Sequence, residues 1–306
     1  MSAERKAGLW PVMITPFRAD GEIDYESLER LIDWYEKNGA DGLFADCQSS
    51  EIFFLSLQER VNLASFIKKH AHIPVIASGH VSHAFSAQIE ELKAIAGTGA
   101  DALILITNRL VHPGRQNESM MPRVREIMKA VPGLPLGFYE CPYPFKRLIT
   151  EDELKECAES GRFAFMKDTC CDLKTIERRL DILKGSEFRL YNANTTTCLD
   201  SVRRGAAGFS GVMLNFHPRL YRWMLDHTDD QPETAELVQS YLTVFSEIER
   251  QYYPVNAKFH LKEIEGILAS DYARTIPAEG LTETFRTEVR HMNRAARHLL
   301  EQLRGE

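Results

Sequence analysis

One pattern recurs eight times along the chain. A short, apolar, β-branched run is followed by a longer stretch with helical periodicity. The runs lie at residues 9–14, 42–45, 74–77, 102–106, 135–139, 164–167, 189–191 and 208–212. Helical stretches occupy 25–38, 57–70, 84–97, 117–130, 150–159, 172–183, 196–204 and 218–226. The runs are continuous rather than alternating, as in strands covered on both faces. Glycine closes helices at Gly39 and Gly97, just ahead of strands. Thr150 to Glu153 reads as a capping box.

Eight strand–helix units in roughly 225 residues predict an α/β fold of the (β/α)8 TIM barrel type, about 250 residues being usual for one. An open sheet for a dinucleotide would carry G-x-G-x-x-G after the first strand, and none is present. The barrel is expected over 1–228. Residues 229–306 change character and read as a helical extension packed on it, with helices at 231–252, 257–270 and 279–304.

The formal net charge of −7, with no long basic run, argues against nucleic acid and anionic membrane as partners. No apolar run is long enough for a bilayer span or, near Met1, for a signal peptide. The six cysteines include no C-x-x-C pair and suggest a reducing compartment, so a cytoplasmic location is expected.

In such a barrel the chemistry sits at the C-terminal ends of the strands. Lys167 ends the run that begins at Phe163, so apolar neighbours would disfavour its ammonium form. A neutral amine attacks a ketone to give an imine. The alternative is a lysine paired with Asp168 or another carboxylate at the barrel rim. Tyr139 ends the preceding strand, where a phenol can move protons, or can simply be a core aromatic. Ser49 and Ser50 end the second strand, and their hydroxyls and N–H groups can hold a carboxylate. His80 and His83 form an H-x-x-H pair with no further ligands at metal spacing, so no metal is expected. No phosphate loop is present.

These motifs together resemble the dihydrodipicolinate synthase / N-acetylneuraminate lyase family of pyruvate-dependent class I aldolases. The stretch Val12-Met13-Ile14-Thr15-Pro16-Phe17 is similar to the family's opening strand. Cys47-Gln48-Ser49-Ser50-Glu51 is similar to its G-[TS]-T-G-E segment, and Tyr139-Glu140-Cys141-Pro142 to its Y-N-x-P. Phe165-Met166-Lys167-Asp168 is similar to the strand bearing its imine lysine. The resemblance implies imine formation at Lys167, a proton relay through Tyr139 and a pyruvyl carboxylate held at Ser49. Ser210 falls where the family uses a main-chain carbonyl near the substrate. It further implies a homotetramer or dimer, and no metal or organic cofactor beyond the covalent imine on Lys167.

Three positions depart from the synthases. Gln48 replaces a relay hydroxyl, Leu110 a relay tyrosine, and Pro144 a carboxylate-binding arginine, with Lys146 or Arg147 close by. The expected activity is therefore a lyase on a 2-oxo acid. It would release pyruvate by retro-aldol cleavage or dehydrate a 2-oxo-3-deoxy sugar acid. Synthase-type condensation of pyruvate, a non-catalytic barrel that binds an oxo acid, and a metal-dependent class II aldolase are the alternatives.

Overall fold

The structure is a computed structural model that describes residues 7–305. Residues 1–6 and 306, within the expected ranges 1–228 and 229–306, lie outside the described residues.

Eight parallel strands form the sheet: β1 (Gly8–Leu9), β2 (Leu43–Ala45), β3 (Val75–Ala77), β4 (Ala102–Ile106), β5 (Leu136–Tyr139), β6 (Phe163–Asp168), β7 (Arg189–Asn192) and β8 (Gly208–Phe209). They pair in the order β1-β8-β7-β6-β5-β4-β3-β2. The expected first strand, 9–14, changes partner midway. Trp10 N–H donates to Phe209 on β8 at 2.9 Å, whereas Phe44 N–H donates to Pro11 and Met13 N–H to Phe44, at 2.9 and 3.0 Å. A parallel bridge between Val12 and Phe44 thus closes the ring. Pro11 has no N–H to give, which is why the regular ladder stops at Leu9. Gly8 faces Gly208 across the β1–β8 seam. Gly208 has φ +146°, and a Cβ there would lie 1.9 Å from the Gly8 carbonyl oxygen. Only glycine fits that approach.

The helices α1 (Tyr25–Lys37), α2 (Leu57–His70), α3 (Phe85–Ala96), α4 (Met121–Ala130), α5 (Glu151–Glu159), α6 (Leu173–Leu183), α7 (Cys198–Arg203) and α8 (Pro218–Asp226) each follow a strand. Local chemistry sets their starts. Asp24 accepts from Ser27 N–H at α1, and capping boxes pair Ser56 with Glu59 at α2 and Thr150 with Glu153 at α5. Helix α4 begins four residues later than expected. Glu153 captures Met120 N–H at 3.0 Å, and Pro122 fixes the first turn.

The apolar residues divide into two layers. Phe44, Ile76, Ile104, Ile106, Tyr139 and Phe165 belong to the inner cluster. The larger cluster holds residues such as Leu43, Leu63, Leu92, Leu103, Leu190 and Tyr221, and packs the helices onto the outside of the sheet. Phe165 stacks on Tyr191 with centroids 4.5 Å apart, and Trp10 meets Phe165 edge-on at 5.1 Å. Lys167, two residues beyond Phe165, shares its face and points the same way.

The tail differs in detail from expectation. Helix α9 (Pro232–Phe245) tightens into a 3-10 turn over Ser246–Arg250. Helix α10 (Val255–Phe259) widens into a π turn over His260–Ile264 and stops, where 257–270 had been expected. Gly266, with φ +67°, breaks the pattern there. Beyond it, Arg274 and Thr275 give their N–H groups to the Glu51 carboxylate at 2.7 and 2.8 Å, so they are unavailable to a helix. Helix α11 (Glu283–Gly305) is the last element among the described residues. No helix among the described residues is long and apolar enough to cross a membrane.

Candidate active site

Residues Tyr139 and Lys167 are register partners at the ends of β5 and β6. A buried ion cluster behind them fixes both strands. Arg179 of α6 holds Glu140 at 2.7 Å and also contacts Asp168, and Glu140 accepts Thr169 N–H at 3.0 Å. Asp168 is therefore committed to Arg179. Lys167 forms no ion-pair contact among the described residues, and the carboxylate whose charge reaches it is Glu249 rather than Asp168.

Lys167 is only 4% exposed. Burial pushes its pKa below the ordinary 10.5, with partial opposition from the Cys47 and Cys141 thiols and Glu249. Its Nζ lies 4.7 Å from the centroid of the Tyr139 ring. Burial holds the Tyr139 phenol well above its usual range, so it is protonated at neutral pH. Its hydroxyl faces Gln48 Oε1 at 3.4 Å, a long contact.

These groups form the floor of a cavity of about 550 Å³ at the C-terminal ends of the strands. Gln48 and Ser49 enter it from the short turn Gln48–Ser50 that follows β2. Lys146 lines it too, with its ammonium donating to the Thr169 carbonyl at 2.7 Å. Arg147 points elsewhere, into a buried pair with Glu153 at 2.7 Å. Asn108 donates to the carbonyls of Cys141, Tyr143 and Phe145, holding the loop that carries Lys146. Leu110 is buried and brings no hydroxyl.

Two expected residues stand apart. The Ser50 hydroxyl donates to the Met13 carbonyl at 2.7 Å and accepts Cys47 N–H at 3.1 Å. The Ser210 hydroxyl donates to the Trp10 carbonyl at 2.9 Å. Neither lines the cavity; both hydroxyls are engaged in holding loops. Of the histidines, His80 is buried, accepts Ile106 N–H at 2.7 Å and meets Gln88 at 3.2 Å, while His83 is exposed. No group of three or more His, Cys, Asp or Glu is arranged to hold a metal ion among the described residues.

Sequence reasoning missed two residues from the tail, Glu249 and Tyr253, both on the cavity wall. The Ser49 hydroxyl lies in hydrogen-bonding contact with the Tyr253 phenol, which also accepts Asn215 Nδ2–H at 3.3 Å. Burial raises the Glu249 carboxyl to about 7 against the opposing pull of Lys167. The strand-end rule could not reach them, because they lie beyond the eighth strand. The one local signal is the helix-breaking Pro254 just after Tyr253.

The sequence profile of the dihydrodipicolinate synthetase family matches residues 5–296. A 4-hydroxy-tetrahydrodipicolinate synthase of Shewanella piezotolerans is 23% identical over 277 residues, covering 89% of this chain and 92% of the relative. The dihydrodipicolinate synthase of Acinetobacter baumannii complexed with pyruvate superimposes with a TM-score of 0.81 at 23% identity, over 95% of this chain and 99% of that one. The CdNal protein of Clostridium difficile in complex with mannosamine gives 0.82 at 20% identity, over 95% and 99%. The chain thus belongs to the dihydrodipicolinate synthetase family and is an enzyme of the class I aldolase type.

Proposed function

We propose that this protein is a Schiff-base lyase for a 2-oxo acid, with Lys167 as the amine. The observation that carries the reading is a buried lysine with no ion-pair contact among the described residues, its pKa lowered, 4.7 Å from a tyrosine ring in the cavity. Lys167 attacks the C2 carbonyl and water leaves. The protonated imine then accepts the electron pair released when a C–C bond breaks or when a proton leaves C3. Tyr139 moves protons beside it. Ser49, tied to Tyr253, holds the carboxylate with the adjoining N–H groups, while Gln48 orients the Tyr139 hydroxyl. Ser50 and Ser210 serve through the backbone they hold. Lys146, not Arg147, is the cation placed to meet a second anionic group.

The preferred directions are release of pyruvate or dehydration of a 2-oxo-3-deoxy sugar acid. The relatives that are 4-hydroxy-tetrahydrodipicolinate synthases favour a second reading, aldol condensation of pyruvate. Against it stand Gln48, an amide where a relay needs a hydroxyl, and the buried apolar Leu110. The same reading includes a barrel at 1–228 with its packed extension at 229–306, a cytoplasmic homo-oligomer, and chemistry needing no metal or organic cofactor.

Borohydride reduction in the presence of pyruvate, followed by peptide mass mapping, tests the reading. A reduced pyruvyl adduct on Lys167, absent from Lys167→Ala, is expected. An adduct on another lysine, or one retained in Lys167→Ala, overturns the assignment. Release of pyruvate from sugar acids, measured beside condensation of pyruvate with aldehydes, decides the direction.

A further inference from the structure

A retro-aldol cleavage needs a single proton-transfer group beside the imine, because one residue can take the proton of the C4 hydroxyl and return it to C3. The cavity offers an unpaired carboxyl as well as the Tyr139 phenol. Tyr139 reaches Lys167 from β5, the strand paired with β6. Glu249 reaches the same cavity from the 3-10 turn after α9, a different part of the chain. The Glu249 carboxyl makes no hydrogen bond or ion pair among the described residues, although Lys167 is near enough to act on its charge. A carboxyl left unpaired on a cavity wall is free to exchange protons with whatever fills the cavity.

We propose that Glu249 is the acid–base residue of this site, carrying a proton from C3 of the imine-bound substrate to the hydroxyl leaving from C4. This rests on the imine reading above and selects dehydration within it. Glu249, as carboxylate, takes the C3 proton, and the C3–H electron pair moves into the imine to give an enamine. The enamine pushes out the C4 hydroxyl, which receives the same proton from Glu249 and departs as water. The C3–H and C4–O bonds break, a C3–C4 double bond forms, and no outside oxidant, reductant or base is used. The residue must therefore be available in both protonation states.

The surroundings of Glu249 allow both. Burial holds the carboxyl at about 7, near neutral pH. The groups whose charges reach it are Lys167 at the end of β6, Cys171 just beyond it, Tyr221 on α8, Tyr253 ahead of α10, and its neighbours Glu247 and Arg250. The three thiol or phenol groups stay neutral, since burial raises each above its ordinary value. Lys167 becomes an imine during turnover.

Exchange of the pyruvate methyl protons for deuterium, followed by proton NMR in D2O, reads the C3 step without knowledge of the physiological substrate. The wild type is expected to exchange, with a rate that rises with pH through a midpoint close to 7. Glu249→Gln is expected to lose on the order of 100-fold in exchange while forming the borohydride-trapped adduct on Lys167 at the wild-type level. Glu249→Asp is expected to recover part of the rate. The trapped adduct doubles as a control for folding. Full trapping with undiminished exchange in Glu249→Gln overturns this inference alone. Absence of an adduct in the wild type overturns the imine reading and this inference with it.

Discussion

The Lys258 ammonium lies 2.5 Å from Glu51 Oε1, and both side chains are fully buried. The pair joins α10 of the tail to the turn after β2 that carries Gln48 and Ser49. The other Glu51 oxygen accepts the N–H groups of Arg274 and Thr275. A residue that sequence similarity placed in a substrate-binding motif is thus the anchor of the C-terminal segment. Its backbone is left-handed, with φ +59°.

Removing one partner of this pair leaves the other charged and buried. Glu51→Gln and Lys258→Met are each expected to lower stability by about 3–5 kcal/mol. Replacing both with apolar residues of matched volume should cost less than the sum. Urea denaturation of the four proteins checks this; additive losses would show that the two residues act separately.

Lys167 has a folded-state pKa below 10.5 because burial disfavours its charged form. Its neutral amine is present at pH values where a free lysine is still an ammonium ion. The initial rate of adduct trapping, measured against pH, is expected to climb with a midpoint below 10.5. A midpoint at or above that value contradicts the placement of the amine.

Tyr139→Phe should separate chemistry from folding. The hydroxyl makes a long 3.4 Å contact with Gln48 and meets the weakly bonding Cys141 thiol, so its loss is expected to change stability by about 1 kcal/mol. Turnover is expected to fall by about 10²–10⁴-fold. Thermal melting and single-turnover kinetics measure the two quantities on the same sample.

Lys146 and Arg147 are adjacent cations with different work. Arg147→Met strands Glu153 in the interior and should cost about 3–5 kcal/mol in unfolding free energy. Lys146→Met removes a cavity cation bonded to one carbonyl, with little effect on unfolding. It should raise KM for a substrate with a second anionic group by about tenfold, which is about 1.4 kcal/mol. A normal KM in that variant would remove Lys146 from substrate recognition.

Three buried histidines set the response to acid. Burial lowers the pKa values of His80, His217 and His260 from 6.5 to about 4, 3 and 3. The unfolded chain takes up protons near 6.5, whereas the folded chain does not until much lower. Their contribution is fully present above about pH 6.5 and is lost as pH falls toward 4. Urea midpoints should drop between about pH 7 and 5, by an amount on the order of a few kcal/mol in total. His260 is fully buried, and His260→Leu should flatten part of the drop.

The barrel was legible because parallel strands buried on both faces read as unbroken apolar runs, and capped helices separate them. The family was legible because Lys167, Tyr139 and the Cys47–Glu51 segment each sit at a strand end. Strand limits were less so: the change of partner at Pro11 is a property of ring closure, which no single run encodes. Ser50 shows a second limit, since a hydroxyl at the right place can be consumed by a carbonyl from another strand. The tail was least legible. Helical periodicity ran on past Ile264, but the N–H groups of Arg274 and Thr275 belong to Glu51, more than two hundred positions away. Glu249 reaches the cavity only because α9 ends in a tight turn over the barrel mouth.

That last arrangement has a bearing on biosynthesis. Lys167 leaves the ribosome early, Glu249 and Tyr253 much later, and the segment that clasps Glu51 later still. A barrel that has only just been translated through β8 carries its reactive amine in a cup that lacks one wall. The finished reaction chamber, and with it control over what reaches the amine, exists only once the segment through Thr275 has been made.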